Sequence, residues 1–177
     1  MYGGVMCPSV ADPTADPAPV LAAVVVASDR CARGEAADRS GARAAELLRA
    51  AGYRVDAPVI VPDGAESVAE ALRTALAGGA RVVLTSGGTG VGPRDRTPEG
   101  TRLVLDRELP GLAEALRRSG AAQVASAVLS RGLAGVTDAG AVVINLPGST
   151  AGVEQGLAVL LPLLGHVLDQ LTGGDHR

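Results

Sequence analysis

Residues 81–99 read RVVLTSGGTGVGPRDRTPE. Arg81–Thr85 is short, apolar and β-branched, and turn residues follow it at once. That is the pattern of a parallel strand covered on both faces. Upstream, Ser67-x-x-Glu70 predicts a capping box opening a helix with Val68, Leu72, Ala75 and Leu76 at helical spacing; Gly78-Gly79 ends it. Downstream, Thr97-Pro98 predicts N-cap and N1 of another helix, running to about Glu108.

The same alternation extends outward. Leu21–Ala27 (LAAVVVA) and Ala141–Leu146 (AVVINL) are further buried strands. Tyr53–Val61 is a strand broken by Pro58, which implies a sheet edge or bulge. Helices are predicted over about Ser40–Ala51, Leu112–Ser119 and Gly152–Leu171, the last kinked at Pro162. Short strands are expected near Ala127–Leu129 and Leu133–Val136. The order predicts α/β: a single-domain, three-layer α/β/α fold with a mainly parallel, doubly wound sheet. The domain spans residues 20–172, after a disordered extension at 1–19 and before a tail at 173–177.

Composition narrows the function. Aromatic residues are 1% of the chain, so the core must be built from Ala, Val, Leu and Ile. A net charge of −3 with scattered basic residues and no aromatic platform argues against a nucleic-acid partner. Two Cys (Cys7, Cys31) and two His (His166, His176) with no CxxC spacing cannot form a structural zinc site in one chain. No run of 18 apolar residues and no leader-like segment is present, which predicts a cytoplasmic protein without a membrane span.

Ligands of such sheets sit beyond the carboxyl ends of the strands. Four polar segments stand there: Ser28-Asp29-Arg30, Asp63, Ser86–Arg94 and Asn145-Leu146-Pro147-Gly148-Ser149. Gly87, Gly88, Gly90 and Gly92 allow a tight backbone whose N–H groups can form an anion nest. Ser86, Thr89 and Thr97 add hydroxyls, Arg94 a planar fork, and the helix at Pro98 its positive end. Pro93 stands where a P-loop has Lys, so the loop is not a P-loop.

Asp95 is out of place in a phosphate cradle. A carboxylate about 4 Å from a phosphate charge is repelled by about 4 kcal/mol at an effective dielectric of about 20. A divalent cation reverses that sign, and Asp95 with Asp63 or Asp29 could hold Mg²⁺. The competing readings are an ion pair of Asp95 with Arg94 or Arg96, a helix cap, and a plain turn at Asp63.

Thr85–Gly90, Arg94-Asp95-x-Thr97-Pro98-Glu99, Leu129-Ser130-Arg131 and Asn145–Ser149 together resemble the molybdopterin adenylyltransferase family, which includes Mog- and MoaB-type proteins and the amino-terminal domain of gephyrin. Asp38-x-Ser40-Gly41, Val61-Pro62-Asp63 and Pro110-Gly111 add to the match. The resemblance implies a homotrimer that transfers AMP from Mg-ATP to the terminal phosphate of molybdopterin, with a separate molybdenum-insertion protein. It implies that Asp63 and Asp95 are the critical aspartates and Mg²⁺ ligands. Ser28, Asp29, Ser86, Gly87, Gly88, Thr89, Gly90, Arg94, Thr97, Pro98, Glu99, Ser130, Arg131, Pro147, Gly148 and Ser149 then line the substrate cleft. Thr150-Ala151 replaces the family's usual Pro-Lys, and Gly100 its usual Ala. A molybdopterin carrier without transferase activity is the alternative.

Overall fold

The computed structural model describes residues 18–173. The expected extension, Cys7, His176 and most of the tail lie outside the described residues. One sheet contains all seven described strands: β1 (Leu21–Ala27), β2 (Arg54–Val55), β3 (Val59–Val61), β4 (Val82–Ser86), β5 (Arg107–Glu108), β6 (Ala134–Val136) and β7 (Val142–Leu146). Its order is β2-β1-β4-β7-β6-β5, with β3 beside β2 on the outer side of β1. The β2, β3, β1, β4 and β7 pairings are parallel, whereas β5 and β6 run antiparallel at the far edge.

Both faces are covered, as the apolar runs predict. On one face Val24, Val26, Leu84 and Ile144 pack against α2 (Ser40–Ala50), α5 (Pro110–Ala121) and α6 (Thr150–Leu171). On the other, Val25, Val83 and Val143 meet Val68 and Leu72 of α3 (Ala65–Ala77). α4 (Thr97–Arg102) packs on α3, and α1 (Asp29–Ala32) is a single turn. By length and by a hydropathy of 1.4 over its most apolar window, α6 could cross a bilayer. Here its stripe of Leu157, Leu160, Leu164 and Leu168 is core, and the helix continues through Pro162.

Four local expectations are corrected. The predicted capping box does not form: α3 starts at Ala65, so Ser67 lies within its first turn and its hydroxyl donates back to Pro62 O (2.7 Å) or Gly64 O (3.1 Å). The helix from Thr97 stops at Arg102, because residues 107–108 are taken up as edge strand β5 against β6. The following helix starts at Pro110 itself, with Pro in the first turn where a missing N–H costs nothing. Residues 125–129 form a 3₁₀ turn, not a strand, and leave Val128 and Leu129 exposed.

Register places the functional rim. Val26 pairs with Ser86, Ala27 with Val61, and Ser86 with Leu146. The four parallel strands thus end level, and the residues after each leave the sheet side by side.

Candidate functional site

Each strand end delivers one wall. After β4, Gly87 (φ +97°) and Gly88 (φ +63°) turn the chain through conformations that L side chains avoid. A Cβ on Gly87 would lie 2.3 Å from Ala27 O, and one on Gly88 2.3 Å from Thr97 Oγ1. Beyond the turn, the N–H groups of Gly88, Thr89, Gly90 and Val91 donate to nothing among the described residues. After β7, the N–H groups of Gly148 and Ser149 are likewise free, and Ser149 caps α6 by accepting from Gly152 N–H (3.1 Å). The two loops touch: a Cβ on Gly148 would stand 3.2 Å from Gly87 Cα.

That contact forms a ridge on the wall of the smaller of two clefts, which meet at Ser149. The larger, about 490 Å³, runs from Thr89, Gly90 and Ser149 over Ser130 to an apolar floor between α5 and α6. The smaller, about 310 Å³, is lined by Ser28, Asp38, Arg39, Gly87, Gly148 and Ser149 among others. Ser149 borders both.

Charged groups brace the loop. Asp29 N–H donates to Asp63 Oδ2 (2.9 Å) and Asp63 N–H to Asp29 Oδ1 (3.2 Å), which locks the ends of β1 and β3 together. Arg94 donates both prongs of its fork to Asp29 (3.0 and 2.8 Å) and one to Asp63 O (3.0 Å). That bond to Arg94 holds the Asp29 carboxyl below its ordinary range. Arg131 donates to Gly90 O (2.8 Å), to Asp95 O (2.5 Å) and to the Glu99 carboxylate (2.5 Å), and the last bond lowers the Glu99 carboxyl in the same way. Asp95 Oδ2 accepts from Gly92 N–H (2.8 Å).

The residues expected in the cleft therefore divide by role. Thr89, Gly90, Ser130, Pro147 and Ser149 line the larger cleft; Ser28, Ser86, Gly87, Gly148 and Ser149 line the smaller one. Ser28 also caps α1, accepting from Cys31 N–H (3.3 Å). Ser86 Oγ is buried, 2.9 Å from Ser40 Oγ and 3.0 Å from Pro147 O, so it ties the loops together from below. Thr97 and Pro98 are buried at the start of α4, and Thr97 Oγ1 is a fully buried hydroxyl without a hydrogen-bond partner among the described residues. Arg94, Arg131 and Glu99 are loop braces in this structure. Asp38 accepts from Gly41 N–H (2.8 Å) and Ala42 N–H (3.2 Å), the local capping role.

Asn145, expected as the start of the polar segment that ends its strand, lies within β7 and has a structural role. Its amide donates to Thr85 Oγ1 (3.0 Å) and Thr101 Oγ1 (2.8 Å) and accepts from Leu133 N–H (3.0 Å), joining β4, α4 and the segment before β6. The signal was a lone amide in an otherwise apolar strand, which must find partners when buried.

The aspartates fit a cation that arrives with a phosphate. Asp63 Oδ1 and Asp95 Oδ1 accept no hydrogen bond among the described residues, and both side chains lie against the glycine loop: Asp63 at Gly88, Asp95 at Gly90 and Gly92. No three His, Cys, Asp or Glu side chains cluster to hold a metal among the described residues. One or two carboxylates completed by substrate phosphate and water is how Mg²⁺ is commonly held.

A doubly wound α/β protein with a two-lobed ligand cleft at the carboxyl ends of its parallel strands is the class this geometry defines. Residues 23–166 match the family model described as "Probable molybdopterin binding domain". The chain is 41% identical over 171 residues to a molybdenum cofactor biosynthesis bifunctional protein of Synechococcus elongatus, covering 97% of this chain and 53% of that protein. It is 39% identical to molybdenum cofactor biosynthesis protein B of Halalkalibacterium halodurans, covering 76% of this chain and 81% of the relative. The solved molybdopterin biosynthesis Mog protein of Mycobacterium ulcerans superposes with a TM-score of 0.81 at 43% identity, covering 86% and 99% of the two chains. The chain belongs to the molybdopterin-binding domain family of molybdenum cofactor biosynthesis proteins, of Mog/MoaB type. It spans about half the length of the bifunctional relatives it matches.

Proposed function

We propose that this protein is a molybdopterin adenylyltransferase. The observation that supports this most is the meeting of two clefts at Ser149, beside the Gly87–Gly148 contact, with N–H groups on both loops that are free among the described residues. Such a junction suits two phosphorylated ligands that must meet end to end. An oxygen of the molybdopterin phosphate attacks the α-phosphorus of ATP. A new P–O–P bond forms, the bond from the α-phosphorus to the bridging oxygen breaks, and its electron pair leaves with pyrophosphate. No protein nucleophile is required, and the chain's part is positioning and charge compensation.

The loop N–H groups of Gly88 to Val91 and of Gly148 and Ser149 hold phosphate oxygens. Asp63 and Asp95 hold the Mg²⁺ of Mg-ATP, which supplies charge neutralisation between the carboxylates and the phosphates. Arg94 and Arg131 keep the loop in register. A cytoplasmic homotrimer, working beside a separate molybdenum-insertion protein, completes the proposal.

Purified protein incubated with molybdopterin, Mg²⁺ and ATP should yield adenylylated molybdopterin and pyrophosphate. Molybdopterin binding without product would identify a carrier instead. Asp95→Asn can keep the bond from Gly92 N–H through its amide oxygen. It should abolish transfer while largely sparing molybdopterin binding, and near-normal turnover would remove Asp95 from the metal site.

A further inference from the structure

The apolar end of the larger cleft has no part in phosphate chemistry. Its walls are small or flat: Ala113, Leu116, Gly120, Ala127, Leu129 and Gly156. A slot of about 490 Å³ is of the size that takes a small organic ligand. Two carboxamides border it, Gln123 just beyond the end of α5 and Gln155 in the second turn of α6. Gln155 is half-buried, and neither side chain makes a hydrogen bond or ion pair among the described residues.

Free carboxamides beside an apolar slot point to a ring with a polar edge. Each presents one acceptor and one pair of donors. A 2-amino-4-oxopyrimidine edge, as in a pterin, offers donors at its ring N–H and amino group and acceptors at its oxygen and ring nitrogens. It can engage both carboxamides at once. Adenine can also pair carboxamides, through N6 with N7 or N6 with N1, but it lacks the ring N–H and oxo acceptor of the pyrimidinone edge, so adenosine is the control that separates the two. The slot is continuous with the loops at Thr89, Gly90 and Ser149, so a ring seated there has its phosphate arm where the two clefts meet.

We infer that Gln123 and Gln155 are specificity-determining residues that read the pyrimidinone edge of a pterin in the larger cleft. This rests on the proposed function for its ligand class, yet its test does not depend on transfer. 6-Hydroxymethylpterin carries the ring without a phosphate. The protein has no Trp, so pterin fluorescence can be followed with little protein background.

The wild-type protein should quench the probe saturably. Gln155→Leu should weaken binding about tenfold, because a ring donor or acceptor loses its partner in a dry slot. Gln123→Leu should weaken it severalfold, its side chain being more exposed. Both variants should keep the wild-type melting temperature and the wild-type thermal shift with Mg-ATP, since neither side chain makes a hydrogen bond or ion pair among the described residues.

Absence of saturable binding by the wild type would overturn the inference. So would wild-type affinity in the double variant, or displacement of the probe by adenosine that the same substitutions weaken. Intact pterin binding with no AMP transfer would sink the transferase proposal and leave this inference standing. Transfer to molybdopterin without selective loss in the variants would do the reverse.

Discussion

Arg131 is the most exacting place to test the loop. Its guanidinium bonds Gly90 O, Asp95 O and the Glu99 carboxylate, and so spans the turn that carries Asp95. Arg131→Met keeps most of the stem and removes all three bonds. A hydrogen bond involving a charged group contributes about 1.5–3 kcal/mol. The Arg131 side chain is 37% exposed and Glu99 32%, so water replaces part of each bond. Discounting the sum for that screening leaves a destabilisation of about 2–3 kcal/mol. For a domain of this size that is a fall in melting temperature of about 4–12 °C. Arg131→Lys should recover only part of it, because a single ammonium cannot hold three diverging acceptors. The assay pairs a thermal melt with kcat/KM for AMP transfer, which should fall further than stability alone explains. A Met variant melting within 1–2 °C of the wild type at about that margin, or a Lys variant indistinguishable in both readouts, would refute the clamp.

Thr97→Val should leave the ligand-free protein as stable or slightly more stable, because the hydroxyl it removes is buried and has no partner among the described residues; calorimetry that showed a large loss would mean the hydroxyl has a partner in solution. Gly88→Ala should destabilise by about 2 kcal/mol or more and abolish the thermal shift with Mg-ATP, since the new Cβ needs φ +63° and collides with Thr97 Oγ1. The Asp29 and Glu99 carboxyls have lowered folded-state pKa values, so their contribution is present at neutral pH and lost as pH falls through those values. Melting temperature should therefore hold from pH 8 to about 5 and drop below about pH 4, with Glu99→Gln flattening the drop. Chelation with EDTA should leave the melting temperature of the ligand-free protein unchanged, stop AMP transfer, and be reversed by added Mg²⁺.

The central parallel strands β1, β4 and β7 were legible because they are unbroken, largely apolar runs with glycine, proline or polar residues directly after them, and Pro58 marked the break between β2 and β3. Level strand ends then brought Ser28, Asp63, Gly87 and Pro147 to one rim, as their positions predict. The antiparallel edge was not legible. Arg107-Glu108 has no alternation to read, and its two residues become a strand only because β6 offers an open edge. Ala125–Leu129 has strand-like composition but no sheet partner in reach. In the site, residue identity announced phosphate chemistry but could not say which groups would already be paired. Arg94 looks like a phosphate ligand until Asp29, 65 residues away in the chain, is seen to occupy both prongs of its fork. Gln123 and Gln155 escaped notice for the opposite reason: nothing in sequence distinguishes a solvated amide from one facing a slot.

Where the two clefts meet at Ser149, the neighbouring Gly87–Gly148 contact is made of bare backbone. Gly87 has no room for a side chain against Ala27 O, and Gly148 almost none against Gly87. A contact of that kind cannot be retuned one substitution at a time, because any added carbon displaces the loops after β4 and β7, which carry residues of both clefts. Divergence in ligand preference within this architecture must therefore be written on the outer walls, where α5, α6 and the segment before α2 can change one lobe without disturbing the other.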